Sequence, residues 1–302
     1  MLNENAKRAK PMPEPFVSPQ LVTLPPKDQT DLFAEPQQHW KLPDGRSWCL
    51  VFRIGTGYLM RFPDLADFTV AHGNESICNN AIVCVPTSRA SPQTLKHLFV
   101  NQVVPAALSI RGRFVFHGSG LVINGVGVGF FGESGTGKST IATFLACHGY
   151  PLLSDDGLEL IEKESDVSVL PSHASVRLWQ DSRDALLPDT FTPDPQVSHT
   201  SKEQFTVSGH FSTCPNPVKF GAAFFLGNGT APQPLVTLLP PLKAHIAWIS
   251  NSFLLDVHEK GVMSRQFHRV ATIIKNTRSY HLDYPRNYSC LPDVLAAIKK
   301  HL

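Results

Sequence analysis

Residues 132–140 read GESGTGKST, and the stretch that leads into them, residues 114–131, reads FVFHGSGLVINGVGVGFF. The first segment fits G-x-x-x-x-G-K-[ST] through Gly132, Gly137, Lys138 and Ser139. The chemistry of that pattern is specific. Glycines let backbone N–H groups turn inward and cradle phosphate oxygens. A lysine adds a point charge for the β- and γ-phosphates, and a hydroxyl next to it ligates Mg²⁺. A helix that starts at this point adds the positive end of its dipole. The expected nucleotide cradle is therefore Gly132, Glu133, Ser134, Gly135, Thr136, Gly137, Lys138, Ser139 and Thr140. Glu133 and Ser134 shape the loop, and Lys138 doubles as a catalytic charge.

The leading segment supplies the context that this motif requires. Two apolar, β-leaning runs flank Asn124-Gly125, the strongest short-range signal for a tight hairpin, because both turn positions need positive φ. The second run, Val126 to Phe131, ends where the glycine loop begins. STIATFLACH should follow as a helix, closed by Gly149. An overlapping G-x-G-x-x-G at Gly127, Gly129 and Gly132 is rejected as a dinucleotide fingerprint. Its first glycines lie inside the strand rather than at the strand-to-helix turn, so they mark close backbone packing. A two-residue hairpin pairs residues whose numbers sum to 249. His117 then lies across from Gly132, where an imidazole can orient a catalytic carboxylate or titrate itself.

Transfer of a phosphoryl group needs more than a cradle. Ser154-Asp155-Asp156 lies at the end of the next short strand. Successive strand side chains alternate faces, so one carboxylate can hold Mg²⁺ while its neighbour takes a proton from an acceptor hydroxyl. Ser-Asp-Asp-Gly is equally ordinary turn chemistry, and both readings stay open at this point. Arg177, in VRLW, is either a phosphate-reaching cation or a surface strand residue. Arg286, in YPRNY, sits by a turn and reads as solvent-exposed.

Working outward, the chain has 302 residues, 42% hydrophobic and 17% charged, enough for one large domain or two modest ones. Lys+Arg 27 against Asp+Glu 25 leaves a formal net charge of +2, with no basic stripe, so no nucleic-acid partner is expected. No apolar run reaches the roughly 18 residues of a membrane span, and no secretory signal is recognised. The six cysteines show no C-x-x-C pair, and they read as reduced thiols of a cytoplasmic protein. Residues 1–38 are rich in proline and charge and read as a flexible arm. Residues 39–90 hold β-rich runs (WCLVFRI, YLMRF, AIVCVP) and form a small N-terminal unit. A helix starts at Ser91-Pro92. The stretch from Leu187 to Val218 reads as a long loose flap. A strand at KFGAAFFL, helices around 240–251 and 264–276, a strand at SYHLDY and a C-terminal helix from Pro292 complete the reading.

FHGSGLVINGVGVGFFGESGTGKST through HGYPLLSDDGLEL resembles the catalytic core of HPr kinase/phosphorylase. The resemblance lies in a glycine loop of the same form, a His-Gly pair one hairpin upstream and an Asp-Asp pair after the loop's helix. VVPAALSIRGRFVFH, VRLWQDS and YHLDYPRNYSCLPDV are similar to the HPr-kinase-like proteins found beside peptide natural-product genes, including those of lasso peptides. The resemblance implies an α/β fold with a mixed sheet, of the P-loop type shared with phosphoenolpyruvate carboxykinase, over residues 91–302. It implies Asp155 as general base toward a serine hydroxyl, Asp156 with Ser139 on Mg²⁺, and His117 supporting the base. The expected activity is an ATP- and Mg²⁺-dependent kinase acting on a serine of a protein or precursor peptide. A small-molecule kinase and a non-catalytic nucleotide-binding regulator are the alternatives, and homo-oligomerisation is left open. The family signature PVRPGRN has no counterpart here.

Overall fold

The computed structural model describes residues 19–30, 32, 34–42, 44–71, 81–163, 166–172, 175–195, 197, 200–206, 210–255 and 259–302. Residues 1–18 of the expected arm lie outside these. The first sheet is built from β1 (Gln20–Thr23), β2 (Gln38–Lys41), β3 (Ser47–Ile54), β4 (Gly57–Phe62), β5 (Ala66–Val70) and β6 (Ala81–Pro86), in the order β1-β6-β5-β4-β3-β2. Strands β2 to β6 form an antiparallel meander, in the segment where β-rich runs are expected. The arm reading needs correction at one place: Gln20–Thr23 pairs in parallel with Ala81–Cys84 and extends the sheet.

One face of this sheet is covered by α1 (Pro92–Leu98), a π-helical turn (Phe99–Val103) and α2 (Val104–Ile110). Ser91 caps the rod through its side chain, which accepts from Thr94 N at 3.2 Å. The wide turn falls directly before Pro105, whose ring cannot fit a regular α-turn and whose nitrogen carries no hydrogen to donate. Leu95, Leu98, Val103, Ala106 and Ala107 share one buried core with Met60, Phe62, Phe68 and Ile82. Packing therefore runs across the boundary expected at residue 90.

The second sheet positions the site. Its strands are β7 (Phe114–Phe116), β8 (Gly118–Ile123), β9 (Val126–Phe131), β10 (Leu152–Ser154), β11 (Leu158–Lys163) and β12 (Asp166–Leu170), then β15 (Val218–Leu226), β16 (Leu235–Leu238) and β17 (Arg278–Asp283). Between them in sequence, β13 (Ser175–Leu178) and β14 (Glu203–Thr206) pair as a separate two-stranded ribbon. The expected flap therefore carries a strand.

The nine-stranded sheet is mixed: β9, β15 and β17 run parallel, and β8, β10, β11, β12, β7 and β16 add antiparallel neighbours. A mixed α/β architecture is what the sequence predicts. The hairpin pairs Gly118 with Phe131 and Ile123 with Val126, so the 249 sum holds along its length. Asn124 (φ 51°) and Gly125 (φ 80°) both take the left-handed conformation that this turn demands.

Helices cover both faces. They are α3 (Lys138–Cys147), α4 (Gln180–Leu186), α5 (Pro241–Ser250), α6 (Lys260–Asn276) and α7 (Leu291–Lys299). Period-2 alternation sorts the side chains. Phe130 and Phe224 join α3 and α7 residues in one core, while Phe131 and Phe225 join Trp248, Val270 and Ile273 of α5 and α6 in the other. Trp248 is fully buried, its ring 4.7 Å from Phe116, 4.9 Å from Phe131 and 5.4 Å from Phe225, and its Nε1 donates to Ser279 Oγ. The strand glycines have the packing role expected of them. A Cβ on Gly127 would lie 2.5 Å from Val169 Cγ1, and one on Gly129 would lie 2.6 Å from the Phe131 ring. No helix among the described residues is long and apolar enough to cross a membrane.

Candidate active site

The parallel strands β9, β15 and β17 end side by side, and ligands of α/β sheets bind outside the carboxyl ends of such strands. β9 runs into the glycine loop, β15 into Gly227-Asn228, and β17 into Tyr284 and Arg286. Gly135 (φ 86°) and Gly137 (φ 93°) adopt left-handed backbone, and α3 starts at Lys138. Lys138 is 7% exposed and donates from Nζ to the carbonyls of Gly132 (2.7 Å) and Glu133 (2.9 Å). Burial pushes its ammonium down to about 8, against the pull of Asp156. Tyr284 and Arg286 close over Gly137, where a Cβ would lie 2.8 Å from Tyr284 Oη. Arg286 is exposed, as its place by a turn suggests, and it stacks on the Tyr284 ring at 4.5 Å and donates from Nη2 to Gly227 O.

The acidic pair is both a turn and part of the site. Asp156 has φ 76°, which breaks the strand alternation directly after Asp155 and lets both carboxylates face the loop. Asp155, 8% exposed, accepts from Ser119 Oγ and from Ser139 Oγ (3.0 Å) on one oxygen, and from Arg177 N (3.1 Å) on the other. Asp156 lines the cavity and pairs with Arg177 Nη1 at 3.0 Å. The sequence reading set Asp156 beside Ser139, but the contact runs to Asp155. Burial and the neighbouring Asp156 charge raise the Asp155 carboxyl. For Asp156, burial is the largest influence and pushes upward, but Arg177, His117 and Lys202 together outweigh it and hold the group at about 2, so it is ionised. Arg177 is a largely buried partner of the acidic pair, its side chain 12% exposed.

His117 lies one step beyond the last hairpin pair, as the register predicts. Its ring Nδ1 is 3.0 Å from the Asp156 carbonyl. A carbonyl only accepts, so Nδ1 carries the proton and Nε2 keeps a free lone pair. Burial, reinforced by Lys138, lowers the imidazole to about 4 and keeps it neutral.

Asn251, at the end of α5, joins these parts. Its side-chain oxygen accepts from Gly132 N (2.9 Å) and its backbone carbonyl accepts from His117 N (2.6 Å). Nothing in the sequence points to it beyond its place at a helix end. Ser119 carries no motif signal either; it lies on β8, two positions after the histidine.

These groups line one cavity of 1380 Å³, apart from Asp155 and Ser119, which lie behind its wall. Trp40 and Trp48 of the first sheet, Trp179, Lys202, Phe253 and Tyr288 line its remaining walls. Sites for one drug-sized ligand span about 300–1,000 Å³, so this volume suits more than one molecule. Among the described residues no group of three or more His, Cys, Asp or Glu side chains could hold a metal. Mg²⁺ does not need such a cage, because a hydroxyl or one or two carboxylates complete a sphere made mostly of water and phosphate oxygens. Ser139 Oγ with the Asp155 oxygen 3.0 Å away is a hard-oxygen pair that fits it.

No family model matches the chain, and no curated protein matches it. Among solved structures it is similar to the Hpr(Ser) kinase/phosphatase from Coxiella burnetii, with 12% identity, a TM-score of 0.33, and coverage of 62% of this chain and 95% of that one. A likeness this loose carries no argument about activity, so the chemistry must be read from the residues themselves.

Proposed function

We propose that the chain is an ATP- and Mg²⁺-dependent kinase that transfers the γ-phosphoryl group to a serine-type hydroxyl of a protein or peptide. The observation that carries this reading is the convergence on one cavity of the glycine loop with Lys138 and Ser139 and an ionised Asp156 flanked by His117 and Arg177, with Asp155 directly behind Ser139. A site for capture alone does not need the second carboxylate or the imidazole.

In this reading the loop from Gly132 to Thr140 holds the triphosphate with inward N–H groups, the α3 N-terminus and the Lys138 charge. Ser139 and Asp155 would hold Mg²⁺, which supplies charge neutralisation between the β- and γ-phosphates. Asp156 faces the acceptor hydroxyl and receives its proton. The two carboxylates thus exchange the roles that the sequence resemblance implies, because the metal-side carboxylate is the one that touches the loop hydroxyl. The low pKa of Asp156 is compatible with this role, since positioning outweighs basicity in phosphoryl transfer. His117, neutral and anchored on the Asp156 carbonyl, offers Nε2 as an acceptor that helps to orient the hydroxyl. Arg177 keeps Asp156 ionised. The acceptor segment occupies the wall formed by Trp40, Trp48 and Phe253.

The test is incubation of the full chain with γ-labelled ATP and Mg²⁺ against serine-centred peptide libraries and a cell extract, followed by location of the label. Label on a serine of a polypeptide supports the reading. Label on small metabolites alone supports a small-molecule kinase of the same fold, and nucleotide binding without any labelled acceptor supports a regulator.

A further inference from the structure

The two-stranded ribbon β13–β14 carries Arg177 on one strand and Lys202 directly before the other. Arg177 is committed to Asp156. The state of Lys202 is different. The ribbon register pairs Leu178 with Glu203, so the next step sets Lys202 opposite Trp179. Its ammonium lies 5.4 Å from the centre of the Trp179 ring, and that indole is 44% exposed on the cavity wall. Lys202, Ser201 and Thr200 line the same cavity as the glycine loop. Among the described residues no carboxylate pairs with this ammonium.

We propose that Lys202 is a second phosphate-binding cation, which joins Lys138 in gripping the terminal phosphate of a nucleoside triphosphate held in the cavity that both line. An ammonium has three donors and no acceptor, and an indole face satisfies its charge only in part. Lys202 is close enough to the site for its charge to lower Asp156 and to oppose protonation of Lys138 and His117. Two lysines that face one cavity repel each other, and a polyanion between them turns that repulsion into attraction to both. The glycine loop already serves the inner phosphates through backbone N–H groups. The added charge therefore acts where the triphosphate differs from the diphosphate. The stem of Lys202, laid on Trp179, holds the ammonium at the mouth of the site without an acidic partner that would compete with phosphate.

This inference rests on the nucleotide-binding part of the proposed function. It is tested by titrating the full-length protein with fluorescent ATP and ADP analogues, using a non-hydrolysable triphosphate, in the wild type, Lys202→Met, Lys202→Arg and Lys138→Met. The expected result is that Lys202→Met loses about tenfold or more in triphosphate affinity, the range of a charge-assisted hydrogen bond, while diphosphate affinity stays close to wild type. Lys202→Arg should retain most of the discrimination, and Lys138→Met should weaken both nucleotides. Unchanged discrimination in Lys202→Met, or an equal loss for both nucleotides, overturns the proposal and leaves the kinase reading standing. A wild type that binds neither analogue overturns both.

Discussion

Asp155 and Asp156 are neighbours in the chain, yet their surroundings pull their protons in opposite directions. Asp155 is walled in by Ser119, Ser139 and the Arg177 amide, while Asp156 meets the Arg177 guanidinium. Replacing each by Asn should separate their roles. Asp155→Asn should raise the Mg²⁺ concentration needed for half-maximal transfer and leave much of the rate recoverable at high Mg²⁺. Asp156→Asn should lower the rate at saturating Mg²⁺ by about 100-fold or more, the usual scale of a lost acid–base group. A Mg²⁺ titration of label transfer reads both, and identical behaviour of the two variants would refute the division. At this scale the sequence was legible where a residue type is tied to a fixed spacing. Lys138 and Ser139 come from the motif, His117 from hairpin arithmetic, and the acidic pair from its place at the end of the next strand, where a turn reads equally well. Asn251 and Lys202 were not legible, because each reaches the site from a distant segment through a tertiary contact that no local pattern encodes. Nor does local pattern show that Ser139 meets Asp155, because the positive φ of Asp156 breaks the alternation of strand side chains.

The β8–β9 hairpin is the element on which the site hangs, and its glycines are spacers for aromatic rings. Gly129→Ala should destabilise the protein by about 1–3 kcal/mol, because the new methyl meets the Phe131 ring at 2.6 Å and the Phe220 ring at 3.0 Å within a packed core. Urea denaturation of the variant checks this, and a change within about 0.5 kcal/mol would show that the strand has slack. The same hairpin shows why elements differ in legibility. Asn-Gly between apolar runs, a serine before proline, and glycine after a helix are local signals, and the structure has the turn, the α1 start and the α3 end where those residues stand. The strands β1 and β14 were missed because each is four residues long and set among prolines and polar residues. Their partners, β6 and β13, lie far off or across a long loop. Strand propensity over so short a span is outweighed by what the strand pairs with.

Across the whole molecule, the α1–α2 rod and the β13–β14 ribbon meet at His97. This ring is 6% exposed, with Nδ1 3.0 Å from Asn101 Nδ2 and 3.3 Å from Gln204 Oε1. Burial lowers it to about 4, with Arg177 adding to the shift and Gln204 and the Asp156 charge opposing it. The unfolded chain, with an ordinary histidine near 6.5, therefore binds a proton that the native state refuses between about pH 6.5 and 4. Native stability should fall as pH drops through that window, by up to about 3 kcal/mol from this residue. His97→Gln should flatten the profile when denaturation midpoints are compared at pH 7, 5 and 4. An unchanged slope would show that the ring is already protonated in the native protein. The mixed sheet was legible at this scale from the antiparallel hairpin feeding a glycine loop. The burial of α1 and α2 against the first sheet was not, since an amphipathic stripe does not name the surface it covers.

Helix α5 has two ends with different neighbours. Leu242 and Ile246 are 74% and 60% exposed on its outer side, Trp248 is locked among four aromatic rings, and Asn251 at its tip clasps both Gly132 and His117. One ten-residue helix thus carries an exposed apolar side and, at its tip, the amide that fixes the first glycine of the loop, so a change in how that side is covered and a change in how the loop is held share one element.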